Sequence, residues 1–174
     1  MIISVENLKK HIETSLPEEV LEAKLLALEL LIRKHTNNNF QNRGFRFQCP
    51  TMATKLYLST PLLKVGDTVQ ISESIYSDGI YVIKSVEDGF VELDKALIDE
   101  SGVLVTKVEY PMDVVFGVVN MMKWDLENRD KVGIQSETIS RHSVTYFNMD
   151  GDNSSMGYPK SLLGFLMPYM KARF

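Results

Sequence analysis

Three histidines, one cysteine and one acidic loop are the residues of this chain whose types could do chemistry. His11, His35 and His142 fall on two predicted helices and a predicted strand, with no close pair among them. A zinc centre needs several His or Cys ligands at short, regular spacing, and a single cysteine cannot supply them. His35 is better explained as positive charge near a helix C-terminus. Cys49 could serve as a nucleophile with a distant histidine. It precedes Pro50 on a predicted strand edge, however, with no helix N-terminus to lower its pKa. A packed or partly exposed structural thiol is the expectation.

The loop Asp150-Gly151-Asp152-Asn153-Ser154 invites a calcium reading. An EF-hand counted from Asp150 needs glycine at the sixth position and glutamate at the twelfth. Those positions hold Ser155 and Ser161, so a solvated turn is expected instead. No G-x-S-x-G elbow, no phosphate loop and no G-x-G-x-x-G fingerprint occurs. The residues therefore point to no catalytic centre, no metal and no cofactor, and to a protein that is not an enzyme.

Nucleic-acid binding is the remaining chemistry to weigh. Phe45, Phe47, Tyr57, Tyr76, Tyr81 and Phe90 cluster in the middle of the chain, and small β-barrels can stack bases on such rings. The same stretch is laced with acids (Glu73, Asp78, Glu87, Asp88, Glu92, Asp94, Asp99, Glu100), which removes the basic funnel that single-strand binding needs. The net charge of −4 argues against a duplex binder for the same reason. Core packing and cross-strand pairing account for most of these aromatics.

The elements that must position these residues follow from periodicity. The chain has 174 residues, 44% of them hydrophobic, enough to fill a core without disulfides. Ser4 reads as a helix cap for a short helix ending near Thr14-Ser15. Pro17, Glu18 and Glu19 open a longer one in which Leu21, Leu25, Leu28 and Ile32 form a stripe that Leu26 and Leu30 widen. On that pattern the helix is expected to be buried over more than half its circumference, ending in Arg33-Lys34-His35 and an asparagine run. Residues 43–110 change to short alternating strands, with turn signals at Asp78-Gly79 and Asp88-Gly89. Helical spacing returns through Met112, Val115, Val119, Met122 and Leu126. A β-branched stretch over 131–147, a polar loop over 148–158 and a closing helix from Pro159 to about Pro168 complete the reading. The N-terminus lacks signal-peptide order and no apolar run is long enough to span a bilayer, so a soluble protein made in a cytoplasm is expected.

The predicted fold class is thus α+β: a helical domain of about four helices plus a β-hairpin, formed by residues 1–42 and 111–174. A small antiparallel β-barrel-like module, residues 43–110, is inserted into it. The runs SETISRHSVTY (136–146) and GYPKSLLGFLMPYMKARF (157–174), together with the front helices, resemble the head–tail connector family of tailed bacteriophages. Matching positions are Ser136, Glu137, Ile139, Ser143, Val144, Thr145 and Tyr146, then Leu162, Leu163, Leu166, Lys171, Arg173 and Phe174. The inserted module departs from the minimal members of that family.

The resemblance implies a structural virion protein made in the host cytoplasm and located at the neck. It would form a ring of roughly a dozen copies beneath the portal protein. Such a ring extends the channel through which DNA passes non-specifically, and it offers a platform to the next neck or stopper protein, with no membrane involved. Tyr169, Met170, Lys171, Arg173 and Phe174 would then engage the portal or a neighbouring copy, since aromatics and arginine are frequent interface anchors. Ser136, Glu137, Ile139, Arg141, Val144 and Tyr146 are the candidates for the ring interface. The alternatives are another neck or tail interaction protein, or a β-barrel nucleic-acid-binding module.

Overall fold

A computed structural model describes residues 1–133, 136–139, 142–145 and 149–172, the segments 136–139 and 142–145 by backbone alone. It divides into two compact units: residue 1 with residues 39–110, and residues 2–38 with residues 111–174.

The first unit is a closed barrel. Its strands are β1 (Gln41–Met52), β2 (Lys55–Leu56), β3 (Thr68–Ser72), β4 (Gly79–Glu87), β5 (Phe90–Leu93) and β6 (Glu100–Val108). They close in the order β1-β2-β5-β4-β3-β6, every pairing antiparallel. Alternation sends Val69 and Ile71, Tyr81 and Ile83, Val91 and Leu93, and Val103 and Val105 inward, where they pack with Cys49, Leu56, Leu63 and Leu97. Burying each such aliphatic side chain contributes about 1.5–3 kcal/mol before entropy is charged against it. Asp88-Gly89 makes the expected two-residue turn: Glu87 pairs with Phe90, and Gly89 has φ +89°. Asp78-Gly79 does not turn a tight hairpin. Gly79 opens β4, and a longer loop joins it to β3.

In the second unit, α1 (Val5–Lys9) is capped by Ser4, whose Oγ accepts from the Asn7 N–H at 3.3 Å, and it stops well short of Thr14. The longer α2 (Glu18–Thr36) follows Pro17 and ends at Asn37, which takes the left-handed conformation that terminates helices. A third helix, α3 (Met112–Asn128), follows Pro111. Hairpins β7 (Ser136–Ile139) with β8 (His142–Thr145), and β9 (Ser154–Ser155) with β10 (Tyr158–Pro159), come next. The ring of Phe165 lies directly on Gly117 of α3 and leaves no room for a Cβ there.

This architecture corrects the predicted fold class. The chain is mostly β, built around a closed six-stranded barrel, and is not a helical connector domain carrying an inserted module. The expected closing helix is absent from the described residues: 160–162 and 164–169 form two short 3-10 segments. Leu163 separates the two segments at φ −102° and ψ −2°, and Pro168 has no N–H to give. The helix α2 is also less buried than its pattern implied. Leu21, Leu25, Leu28 and Ile32 are buried, but Leu26 and Leu30 stay 44% and 62% exposed.

Cys49 is buried in the barrel, and burial raises its thiol pKa to about 11. Native protein at pH 8 is therefore expected to resist a thiol reagent, with labelling rising only as denaturant opens the barrel. Rapid labelling of the folded protein would show that the barrel is not packed as described.

Candidate functional site

The most concentrated electrostatics lie around Asp125 of α3, whose side chain is only 5% exposed. Lys24 of α2 donates to its Oδ2 at 2.6 Å, and Arg129, one turn along α3, donates from Nε to Oδ1 at 2.6 Å. The Tyr158 hydroxyl donates to the same Oδ1 at 3.3 Å. Arg129 also donates to the Gly157 carbonyl at 2.9 Å and lies against the rings of Trp124 and Tyr158. Burial pushes the Asp125 pKa up, but hydrogen bonds and charge from Lys24 and Arg129 outweigh it and hold the carboxyl below its usual range. The Tyr158 phenol is pushed up to about 12, first by burial and then by Asp125. A cleft of about 470 Å³ opens beside this cluster, with Leu28, Leu31, Met122 and Met156 in its walls. Both oxygens of Asp125 are engaged, so the cluster ties α2, α3 and β10 together and offers no free base.

The predicted tail residues are held by their own unit. The Tyr169 hydroxyl donates to the Asp113 carboxylate, 2.8 and 2.7 Å from its two oxygens, and its carbonyl accepts from Asn38 Nδ2 at 3.1 Å. Lys171 N–H donates to the Thr36 carbonyl at 2.8 Å, and Asn37 Nδ2 donates to the Ala172 carbonyl at 2.7 Å. The Lys171 N–H thus satisfies the last carbonyl of α2 and the carbonyls of 169 and 172 take up the two asparagine side chains beyond it, while the side chains of Met170 and Lys171 stay exposed. Ser136, Glu137, Ile139 and Val144 lie on the β7–β8 hairpin, where only the backbone is described. Arg141, Tyr146, Arg173 and Phe174 lie outside the described residues.

In the barrel, sequence reasoning missed the loop between β3 and β4. Ile75 and Tyr76 at its tip are 73% and 79% exposed, more than any other large apolar side chain among the described residues. The loop beneath them is pinned. Ser74 N–H donates to Asp78 Oδ1 at 2.9 Å, Ile75 N–H to the Glu100 carboxylate at 3.0 Å, and Ser77 N–H to Ser74 Oγ at 2.6 Å. Ser77 Oγ in turn accepts from Ile98 N–H at 2.9 Å, and the Ser77 carbonyl accepts from the Tyr81 hydroxyl at 2.8 Å. Residues 72–83 and 96–106 contribute four carboxylates (Glu73, Asp78, Asp99, Glu100) and neither Lys nor Arg. The flanking Ser74 and Asp78 are turn formers and were a legible local signal. Glu100 comes from 25 residues away and was not.

The other barrel aromatics named above pack or pair, Phe45 half-buried with Lys107 Nζ 5.7 Å from its ring centre and Tyr57 still 39% exposed. Phe47 lies on the core, Tyr81 is buried, and Phe90 pairs with Tyr57 and carries Lys55 Nζ at 4.2 Å. The acidic loop is organised by its own backbone: Asp150 Oδ1 accepts from Asp152 and Asn153 N–H at 3.2 and 2.9 Å. Among the described residues, no group of three or more His, Cys, Asp or Glu is placed to hold a metal ion. No helix among them is long and apolar enough to cross a membrane. The chain matches no protein-family model, and a search of characterised proteins finds no significant similarity.

Replacing Asp125 by asparagine should cost about 2 kcal/mol at neutral pH, because it leaves two cations without their carboxylate. The folded-state pKa of Asp125 lies below the unfolded value of about 3.9, so its contribution is complete above that value and is lost as pH falls through the folded pKa. Urea unfolding should show the gap between wild type and Asp125→Asn narrowing from pH 7 to pH 3. A gap that stays constant would mean the carboxylate is not what holds the cluster.

Proposed function

We propose that this chain is a structural virion protein, a head–tail connector subunit that caps the portal and receives the next neck protein. The observation that carries the reading is the barrel tip. Two large apolar side chains stand in solvent on a loop fixed by five hydrogen bonds, a geometry suited to docking because little order is lost on binding. Tyrosine at such a tip is a frequent interface anchor. The carboxylates around it disfavour phosphate, which suits a protein that DNA passes without sticking.

The resemblance of residues 136–146 and 157–174 to connector proteins supports the same reading. The nucleic-acid alternative loses support, since Tyr76 stands alone on its loop and the other rings named above pack or pair.

The test is electron microscopy of the purified protein, alone and mixed with the portal ring of the same phage. A ring-shaped cap on the portal is the expected result. The double substitution Ile75→Ser with Tyr76→Ser should leave thermal stability nearly unchanged, because both side chains are already in water. It should also weaken capture of the portal or of the next neck protein by at least tenfold. A protein that ignores the portal and both neighbours, with or without the tip, would overturn the proposal.

A further inference from the structure

We infer that the helical unit joins further copies of this chain head to tail, the outer stripe of α2 on one copy filling the groove beside α3 on the next. The inference deepens the ring reading above and names its interface, which differs from the strand and tail residues that the sequence suggested.

The outer stripe consists of Val20, Ala23, Leu26, Ala27 and Leu30, all exposed and spaced to share one face of α2. An apolar stripe opposite an already buried one is not needed for the fold of a single copy. Glu19 and Glu22 flank its N-terminal half, and Lys34 stands at its far end. The groove, about 380 Å³, lies between α3 and the 3-10 segments, with Phe116, Gly117, Leu162 and Phe165 in its walls beside the polar Asn120 and Ser161. Met112 and Met167, 64% and 68% exposed, extend this apolar surface, methionine being a side chain that adapts to a partner. Exposed Lys123 and Lys160 lie on the two elements that bound the groove, Lys160 Nζ also donating to the Asp152 carbonyl at 2.7 Å. Asp113 is the one carboxylate in its lining, and it is hydrogen-bonded by Tyr169. Protruding leucines with acidic flanks therefore meet a concave apolar groove with basic flanks.

The two surfaces lie on different sides of the unit. Phe116 and Asn120 face the groove, whereas Met122, Asp125 and Arg129 face the other cleft, whose wall includes Ala27 and Leu31 of α2. At roughly 100° per residue these two sets are about half a turn apart on α3. A single self-complementary patch would make a dimer and stop. Two distinct complementary faces propagate and close into a ring when the rotation permits.

Cysteine cross-linking separates these cases, because Cys49 is buried and the introduced thiols are the accessible ones. Leu30→Cys and Asn120→Cys are both exposed sites and should not disturb the fold. With a short bismaleimide, the double variant should give a ladder of dimers, trimers and higher species on a denaturing gel. Each single variant should stay monomeric, and an equimolar mixture of the two should stop at the dimer. Adding Leu26→Glu to the double variant should reduce the ladder at least tenfold. Dimers from either single variant alone, or no ladder at high concentration with and without the portal ring, would overturn the inference. A ladder without portal attachment would keep this interface and remove the connector reading. A capped portal without the ladder would do the reverse.

Discussion

The barrel depends on β1. Its 12 residues reach both neighbours needed for closure, pairing with β6 from Gln41 to Thr51 and with β2 at Thr51 and Met52. Two irregularities in its pairing with β6, between Gln41 and Arg46 and between Cys49 and Thr51, accompany that reach, and bulges of this kind increase local bend and twist. Closure removes the unpaired edge that an open sheet would expose to strand addition. A partner of this unit must then be met through loops and side chains, so a rigid apolar tip between β3 and β4 matters more here than it would on an open sheet. The hydrogen bonds from Glu100 on β6 and Asp78 before β4 make that tip an extension of the barrel wall.

In the helical unit the corresponding constraint is the buried carboxylate of Asp125. Taking it out of water is costly, and the arrangement is tolerable because two cations and a phenol together satisfy it. The geometry that results fixes α2 against α3 and brings β10 onto both. The other end of α2 is closed by backbone: the left-handed Asn37 ends the helix, and Lys171 N–H takes the Thr36 carbonyl. The chain from 169 to 172 is therefore part of the unit's own helix capping, whatever else its side chains contact.

How much of this was legible in the sequence follows from the range of each interaction. The long helices were readable from local chemistry: Pro17 with Glu18 and Glu19, Pro111 with Asp113, and the Leu21–Leu25–Leu28–Ile32 spacing all act within a few residues. The Asp88-Gly89 turn was readable for the same reason. A barrel-like module over 43–110 was expected from its alternating strands, but the pairing that closes it was not, because β1 meets β6 across 49 residues or more and no periodicity encodes that register. The fold class was misjudged because the helical segments were taken as the frame of the fold, and because the run from Pro159 to Pro168 was read as one α-helix where two short 3-10 segments form. Leu26 and Leu30 misled in another way. Helical spacing showed that they share a face, but not whether that face meets its own chain. At the candidate site, Ser74 and Asp78 were local clues to a turn, while the exposure of Ile75 and Tyr76 depended on where the turn projects.

The two units handle apolar surface differently, and the difference bears on assembly. In the barrel, ten carboxylates against seven Lys and Arg keep the surface acidic, and the exposed apolar tip sits within its acidic stretch. Contact through such a tip is small, rigid and selective for a partner of opposite charge. In the helical unit the exposed apolar residues are spread along α2 and beside α3, where contact is broad and shape-driven. Among the described residues the polar convergence at Asp125 is internally neutralised, and the solvent-facing features are apolar instead. That distribution leaves the exposed apolar side chains, at the tip between β3 and β4 and along α2, as the surface features that packing within one copy does not account for.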